Sequence, residues 1–195
     1  LGIDRDPRMR FRETEYYPAF YFKLIDLMGA LEMPPERMMI CLSGQDYNTN
    51  DFDGHRTFYT ARGWRKPIAN GFALASKLGE ERLEHACEMP KNCGMILTKR
   101  ADGAIVAAVY NHVSDFGKFG SNELLKLNFS DLPAKYTLKR WRIDEVFSNA
   151  FTAWSRMGSP AQPTVWEREV INRRARLEQP CADEQGAVSW QGDVL

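Results

Sequence analysis

Apolar residues recur every three or four positions through Tyr17, Phe20, Tyr21, Leu24, Ile25, Met28 and Leu31. That spacing predicts a helix over 14–31 with one apolar face. Thr14 suits its N-cap, Pro18 falls in its first turn, Gly29 weakens its end and Pro34-Pro35 closes it. The Arg- and Asp-rich stretch 1–13 reads as a loop. The nearly continuous apolar run 37–43 predicts a strand buried on both faces, as in a parallel sheet. A polar loop, 44–56, leaves its C-terminal end, the edge at which α/β folds bind ligands. Pro67 then opens a second helix, with Ile68, Phe72, Leu74, Ala75 and Leu78 on its apolar side and Gly79 at its close. One strand between two helices leaves two faces without sheet neighbours, so 14–79 is not self-sufficient.

After about residue 86 the period changes from helical to alternating. Residues 95–100 and 104–110 flank Ala101-Asp102-Gly103, and Asp-Gly between apolar runs predicts a hairpin. Leu125, Leu127 and Phe129 share one face of a strand over 123–129. Tyr136, Leu138 and Arg140 alternate with Thr137, Lys139 and Trp141, and Ala187–Trp190 reads as one more strand. Antiparallel strands with one wet face predict a β-sandwich. Two helices interrupt it: one capped by Ser148 and ending at Gly158, the other opened by the Thr164…Glu167 capping box and running to about Leu177.

Composition narrows the functional classes. Of 195 residues, 44% are hydrophobic and 27% charged, which fits a globular chain and excludes collagen, long coiled coil and extended disorder. Lys+Arg and Asp+Glu both number 26, so overall charge gives no support for nucleic-acid binding. No apolar run approaches the roughly 18–20 residues of a membrane span. The chain opens on Leu1 and stops shortly after its last strand, which reads as a fragment. Cys41, Cys87, Cys93 and Cys181 lack the paired spacing of a zinc site and read as buried free thiols, with a Cys87–Cys93 disulfide conceivable only in an oxidising compartment. Neither a metal-spaced cluster nor a phosphate-cradling glycine loop occurs, so no metal and no cofactor is expected. His85 and His112 read as surface or satisfied histidines, Trp141, Trp154 and Trp166 as packing residues, and Arg168, Arg173, Arg174 and Arg176 as a solvated helix face.

The segment Arg140–Pro160 carries a specific pattern. Arg142-Ile143-Asp144, Ser148-Asn149-Ala150, Trp154 and Met157-Gly158-Ser159-Pro160 resemble the "R-I-D-x-x-x-S-N-a-y-x-x-W-x-x-M-G-S-P" segment of the family 39 glycoside hydrolases, the β-xylosidase and α-L-iduronidase group. The hairpin with Val109-Tyr110-Asn111 is similar to the first strands of that family's accessory sandwich. Phe52-Asp53-Gly54-His55-Arg56-Thr57, Gly63, Lys66-Pro67 and Asn70 are similar to its end-of-barrel segment. The resemblance covers roughly 14–180. It implies an α/β plus all-β protein: residues 1–86 as the C-terminal remnant of a (β/α)8 TIM barrel, and 87–195 as an antiparallel β-sandwich with short helices. The missing N-terminal part of the barrel becomes the implied partner.

Such enzymes hydrolyse glycosides with retention, through two carboxyl groups about 5–5.5 Å apart. The family's acid/base lies in an Asn-Glu-Pro motif, absent from this chain, and its nucleophile ends barrel strand seven, expected upstream of Leu1. The catalytic pair is therefore expected to lie outside the chain. Thr14-Glu15-Tyr16 looks like the family's nucleophile motif, but no apolar strand precedes it, so Glu15 reads first as a first-turn acid favoured by the helix dipole. Loop 44–56 is the active-site piece implied here. Gln45, Asp46, Tyr47, Asp51 and His55 are its candidates for binding a xyloside-like carbohydrate, since carboxylates and amides fit sugar hydroxyls and an aromatic face fits the ring. The family's tryptophan near this strand end is Gly44 here. Two other readings stand beside this one: a non-catalytic carbohydrate-binding or structural β-sandwich protein, and a small complete enzyme built on Glu15.

Overall fold

A computed structural model describes residues 7–33, 42–47, 50–115, 120–121, 123–127, 136–179, 184–185 and 191–194, and among these described residues four α-helices, a 3-10 helix and nine short strands form. The first helix, α1 (Tyr16–Ala30), follows the predicted periodicity. What precedes it differs from the expected loop: Pro7–Glu13 winds as a 3-10 helix. Thr14 is not the N-cap. Its hydroxyl donates to Phe11 O at 2.9 Å, which closes the 3-10 turn and leaves the N-cap position to Glu15. At the other end Glu32 adopts a left-handed conformation and Met33 N donates to Met28 O at 3.0 Å, a bond that satisfies an end carbonyl. Pro34 and Pro35 lie outside the described residues.

Residues 37–41 of the predicted buried strand also lie outside them. The strand that follows, β1 (Ser43–Gln45), is exposed at all three positions and pairs in parallel with β2 (Thr57–Tyr59), Ser43 opposite Thr57 and Gln45 opposite Tyr59. So the loop returns to supply a sheet neighbour inside its own segment, contrary to expectation. Thr57, Phe58 and Tyr59 are β-branched or aromatic and suit an extended backbone. Next, α2 (Pro67–Ala75) begins with Pro67 at its first turn, as predicted, and ends at Ala75, four residues short of Gly79. It packs on α1, with the Tyr21 and Phe72 rings stacked at 4.4 Å.

The predicted hairpin forms β4 (Cys93–Lys99) and β5 (Ile105–Asn111), in register from Cys93–Asn111 to Lys99–Ile105, with β3 (Glu81–Arg82) on the other edge of β4. Gly103 takes φ +85°, and its N–H donates to Arg100 O at 2.9 Å, so the residue without a Cβ stands where the turn needs a positive φ. Downstream, β6 (Glu123–Lys126) pairs with β9 (Gln191–Val194), and β7 (Thr137–Leu138) with β8 (Glu184–Gln185), both antiparallel. Residues 128–130 and 186–190 lie outside the described set. Residues 139–141 are not strand, and Arg142 forms an isolated antiparallel bridge with Glu178. Among the described residues the result is a mixed arrangement of helices and small sheets.

In α3 (Ala150–Arg156) the cap is Asn149, one residue later than expected: its Oδ1 accepts from Thr152 N at 3.1 Å. Ser148 is occupied elsewhere, donating to Arg142 O and accepting from Glu178 N, both at 2.7 Å. The Thr164–Glu167 capping box forms as predicted and opens α4 (Val165–Ala175), which ends two residues before Leu177.

The core gathers Phe52 and Trp64 with Ala150, Trp154, Ile171 and Ala175, and it joins loop 44–56 directly to α3 and α4. Trp154 packs there as expected. Trp141 lies under Lys77, whose ammonium stands 4.4 Å from the ring centroid. Trp166 departs from expectation, since it is 65% exposed on a polar helix. His112 departs too: it is buried against Tyr16 and Phe20 and neither ring nitrogen has a hydrogen-bond partner. Cys87 is exposed and Cys93 half-buried, so the buried-thiol expectation fails for Cys87, which lies in the irregular stretch after β3; both are free thiols. Among the described residues no helix is long and apolar enough to cross a membrane, and no group of His, Cys, Asp and Glu could hold a metal ion.

Candidate functional site

Loop 44–56 leaves β1 and turns inward. Two residues set its path. Phe52, at φ +57° and 1% exposed, drives its ring into the core against Trp64, Phe151 and Trp154. Gly54, at φ +84°, brings its backbone against the 3-10 helix, where its N–H donates to Glu13 Oε1 at 2.7 Å and its carbonyl accepts from Arg12 Nη1 at 3.1 Å.

These anchors sort the five predicted side chains. Tyr47 is 96% exposed, an aromatic face wholly open to solvent. Gln45 is exposed as well, with Nε2 donating to Ala61 O at 3.0 Å. Asp46 is buried, its N–H donating to Tyr59 O at 3.0 Å to extend the β1–β2 pairing. Asp51 is buried and ion-paired with the Arg62 guanidinium, and it also accepts from Arg62 N at 3.3 Å. His55 is half-buried, and its carbonyl accepts from Lys66 Nζ at 3.1 Å. The structure therefore groups Gln45 and Tyr47 on the outer side of the loop, whereas Asp51 serves the inner side.

Beneath the loop lies a polar centre that sequence reasoning missed. Glu13 and Lys66 are both fully buried and joined at 2.8 Å. Burial pushes the Glu13 carboxyl above the usual carboxylate range; Lys66 and the Gly54 N–H oppose that rise, and the nearby Asp46 charge adds to it. Only the position of Lys66 before Pro67, in the end-of-barrel pattern, marked the pair in the sequence. Arg62, which holds Asp51, carried no local signal.

Glu15 belongs to a different neighbourhood. Its Oε2 accepts from Asn149 Nδ2 at 2.8 Å, and Asn149 also donates to Asp144 O at 2.9 Å. Burial raises its carboxyl above the ordinary range; the Asn149 amide opposes the rise, and the Glu145 and Asp144 charges add to it.

The chain is similar to β-xylosidases of glycoside hydrolase family 39, of which it matches a part. Over 109 residues, 54% of this chain and 20% of the relative, it is 30% identical to a β-xylosidase of Geobacillus stearothermophilus. Among solved structures, a monomeric β-xylosidase from Caulobacter crescentus CB15 matches 96% of this chain and 40% of its own, with TM-score 0.66 and 16% identity. The GH39 enzyme of Xanthomonas axonopodis pv. citri matches with the same coverage and TM-score at 12% identity. No family model matches the chain. The chain thus spans well under half the length of these relatives.

Proposed function

We propose that the chain is part of a retaining β-xylosidase-like glycoside hydrolase and supplies loop 44–56 as one wall of its sugar subsite. In this reading residues 1–86 complete the end of the catalytic barrel and 87–195 form the accessory sandwich. The carboxyl pair that performs the two displacements comes from elsewhere in the barrel. Tyr47 offers its ring to the C–H face of a pyranose, and Gln45 and the Asp46 end of β1 offer polar groups to its hydroxyls. Asp51 serves as the brace beneath them.

The observation that carries the reading is the exposed Tyr47 beside Gln45 at the C-terminal end of a parallel strand, in a chain related to β-xylosidases. Titration of the isotope-labelled chain with xylobiose tests it by amide shifts. Saturable shifts confined to 44–56, lost in Tyr47→Ala, are expected. An unmoved spectrum at saturating sugar shows the loop to be a solvated connection.

One observation favours the non-catalytic alternative for the chain by itself. Glu15, the nearest match to a nucleophile motif, is engaged by Asn149. Purified chain should therefore match blank on aryl xylosides; turnover abolished by Glu15→Gln would instead establish a small complete enzyme.

A further inference from the structure

One side chain joins the candidate sugar loop to the distant C-terminal turn. Arg62 pairs with the buried Asp51 carboxylate through Nη1, donates through Nη2 to Ala161 O at 2.6 Å, and lies 5.7 Å from the Trp64 ring centroid. Its backbone N–H adds the bond to Asp51 Oδ1. The fork is specific to a guanidinium, which can hold a carboxylate and a carbonyl at once from a planar set of donors. Ala161 follows Met157-Gly158-Ser159-Pro160, a turn held by Trp154 Nε1, which donates to Pro160 O at 3.1 Å, and shaped by Gly158 at φ +82° and Ser159 at φ +57°.

We propose that Arg62 is a positioning residue that couples the 157–163 turn to loop 44–56, so that the C-terminal segment sets the shape of the sugar-facing wall. The coupling follows from the contacts alone; its consequence for sugar affinity rests on the function proposed above. Among the described residues, Phe52 in the core gives burial without direction, and Arg62 gives direction, because it fixes the Asp51 carboxylate, one residue before the left-handed Phe52.

Amide hydrogen exchange on the full chain tests the coupling without any sugar. Arg62→Met should speed exchange at residues 51–54 by about tenfold or more, the loss of a charge-assisted bond, while β4 and β5 keep their protection. Gly158→Ala strains the left-handed turn and should speed exchange at the same loop amides in the wild-type background. In the Arg62→Met background it should add nothing. Arg62→Lys keeps a charge beside Asp51 without the planar fork, so the loop should stay protected yet stop responding to Gly158→Ala. Equal effects of Gly158→Ala with and without Arg62, or none in the wild type, overturn the coupling. Arg62→Met leaves the buried Asp51 carboxylate unpaired and should lower Tm; in the xylobiose titration, run well below that Tm, it should weaken binding about tenfold. Wild-type chain that ignores xylobiose overturns the proposed function, and the exchange cycle still decides the role of Arg62.

Discussion

Two glutamates at the entrance to α1 face burial with different remedies. Glu13 has a buried ammonium and a backbone N–H at one oxygen. Glu15 has one amide donor, and the charges of Glu145 and Asp144 work against it. A carboxylate so placed costs stability whenever it is ionised. Its folded pKa lies above the unfolded one, so the folded chain binds the extra proton. The contribution of Glu15 to stability is fully present below the ordinary carboxylate value and is lost as pH rises through the raised one. Glu15→Gln keeps an acceptor for Asn149 and removes the charge. It should raise Tm at pH 7, leave it nearly unchanged at pH 4, and flatten the fall between; thermal melts across that range check it. A lower Tm at pH 7 would mean that the ionised form is the one the fold prefers.

The elements that were legible in the sequence are those whose causes are local. Helical spacing announced α1 and α2, Asp102-Gly103 announced the hairpin, and Thr164 with Glu167 announced α4. That last signal has a measurable worth. Thr164 Oγ1 accepts from Glu167 N at 3.3 Å, and Glu167 Oε2 accepts from Thr164 N at 2.6 Å. Thr164→Ala removes the first bond and weakens the second, so it should cost about 1 kcal/mol in urea unfolding. Loss within error of zero would mean that tertiary packing alone holds the helix start. What stayed illegible depends on distant partners. Ser148 looked like a cap until Glu178, 30 residues away, claimed its hydroxyl. Loop 44–56 was visible as polar residues after a strand, but its shape comes from Glu13, 41 residues before Gly54, and from Arg62, whose second partner lies 99 residues downstream. Periodicity does not encode contacts at that range.

At the scale of the molecule, one aromatic core ties the loop to α3 and α4. Trp154 is its joint: 9% exposed, against Phe52 and Phe151, with its indole N–H held by Pro160 O. Trp154→Ala should cost about 3–5 kcal/mol. It should also expose Phe52, so loop amides exchange faster along with those of α3; a loss of protection confined to α3 would separate the two. Asn70 tightens the same joint, donating through Nδ2 to Ser148 O at 3.0 Å and Ala175 O at 3.1 Å. The shared core bears on modularity. A crossover between relatives at residue 86 would mate Phe52, Trp64 and Asn70 of one parent with α3 and α4 of the other, and the chimera would inherit a mismatched interior. A crossover before residue 43 would carry loop 44–56 whole with the C-terminal segment that holds it. Whatever property loop 44–56 carries would then travel in recombination with α3 and α4, and the heritable block would begin ahead of β1.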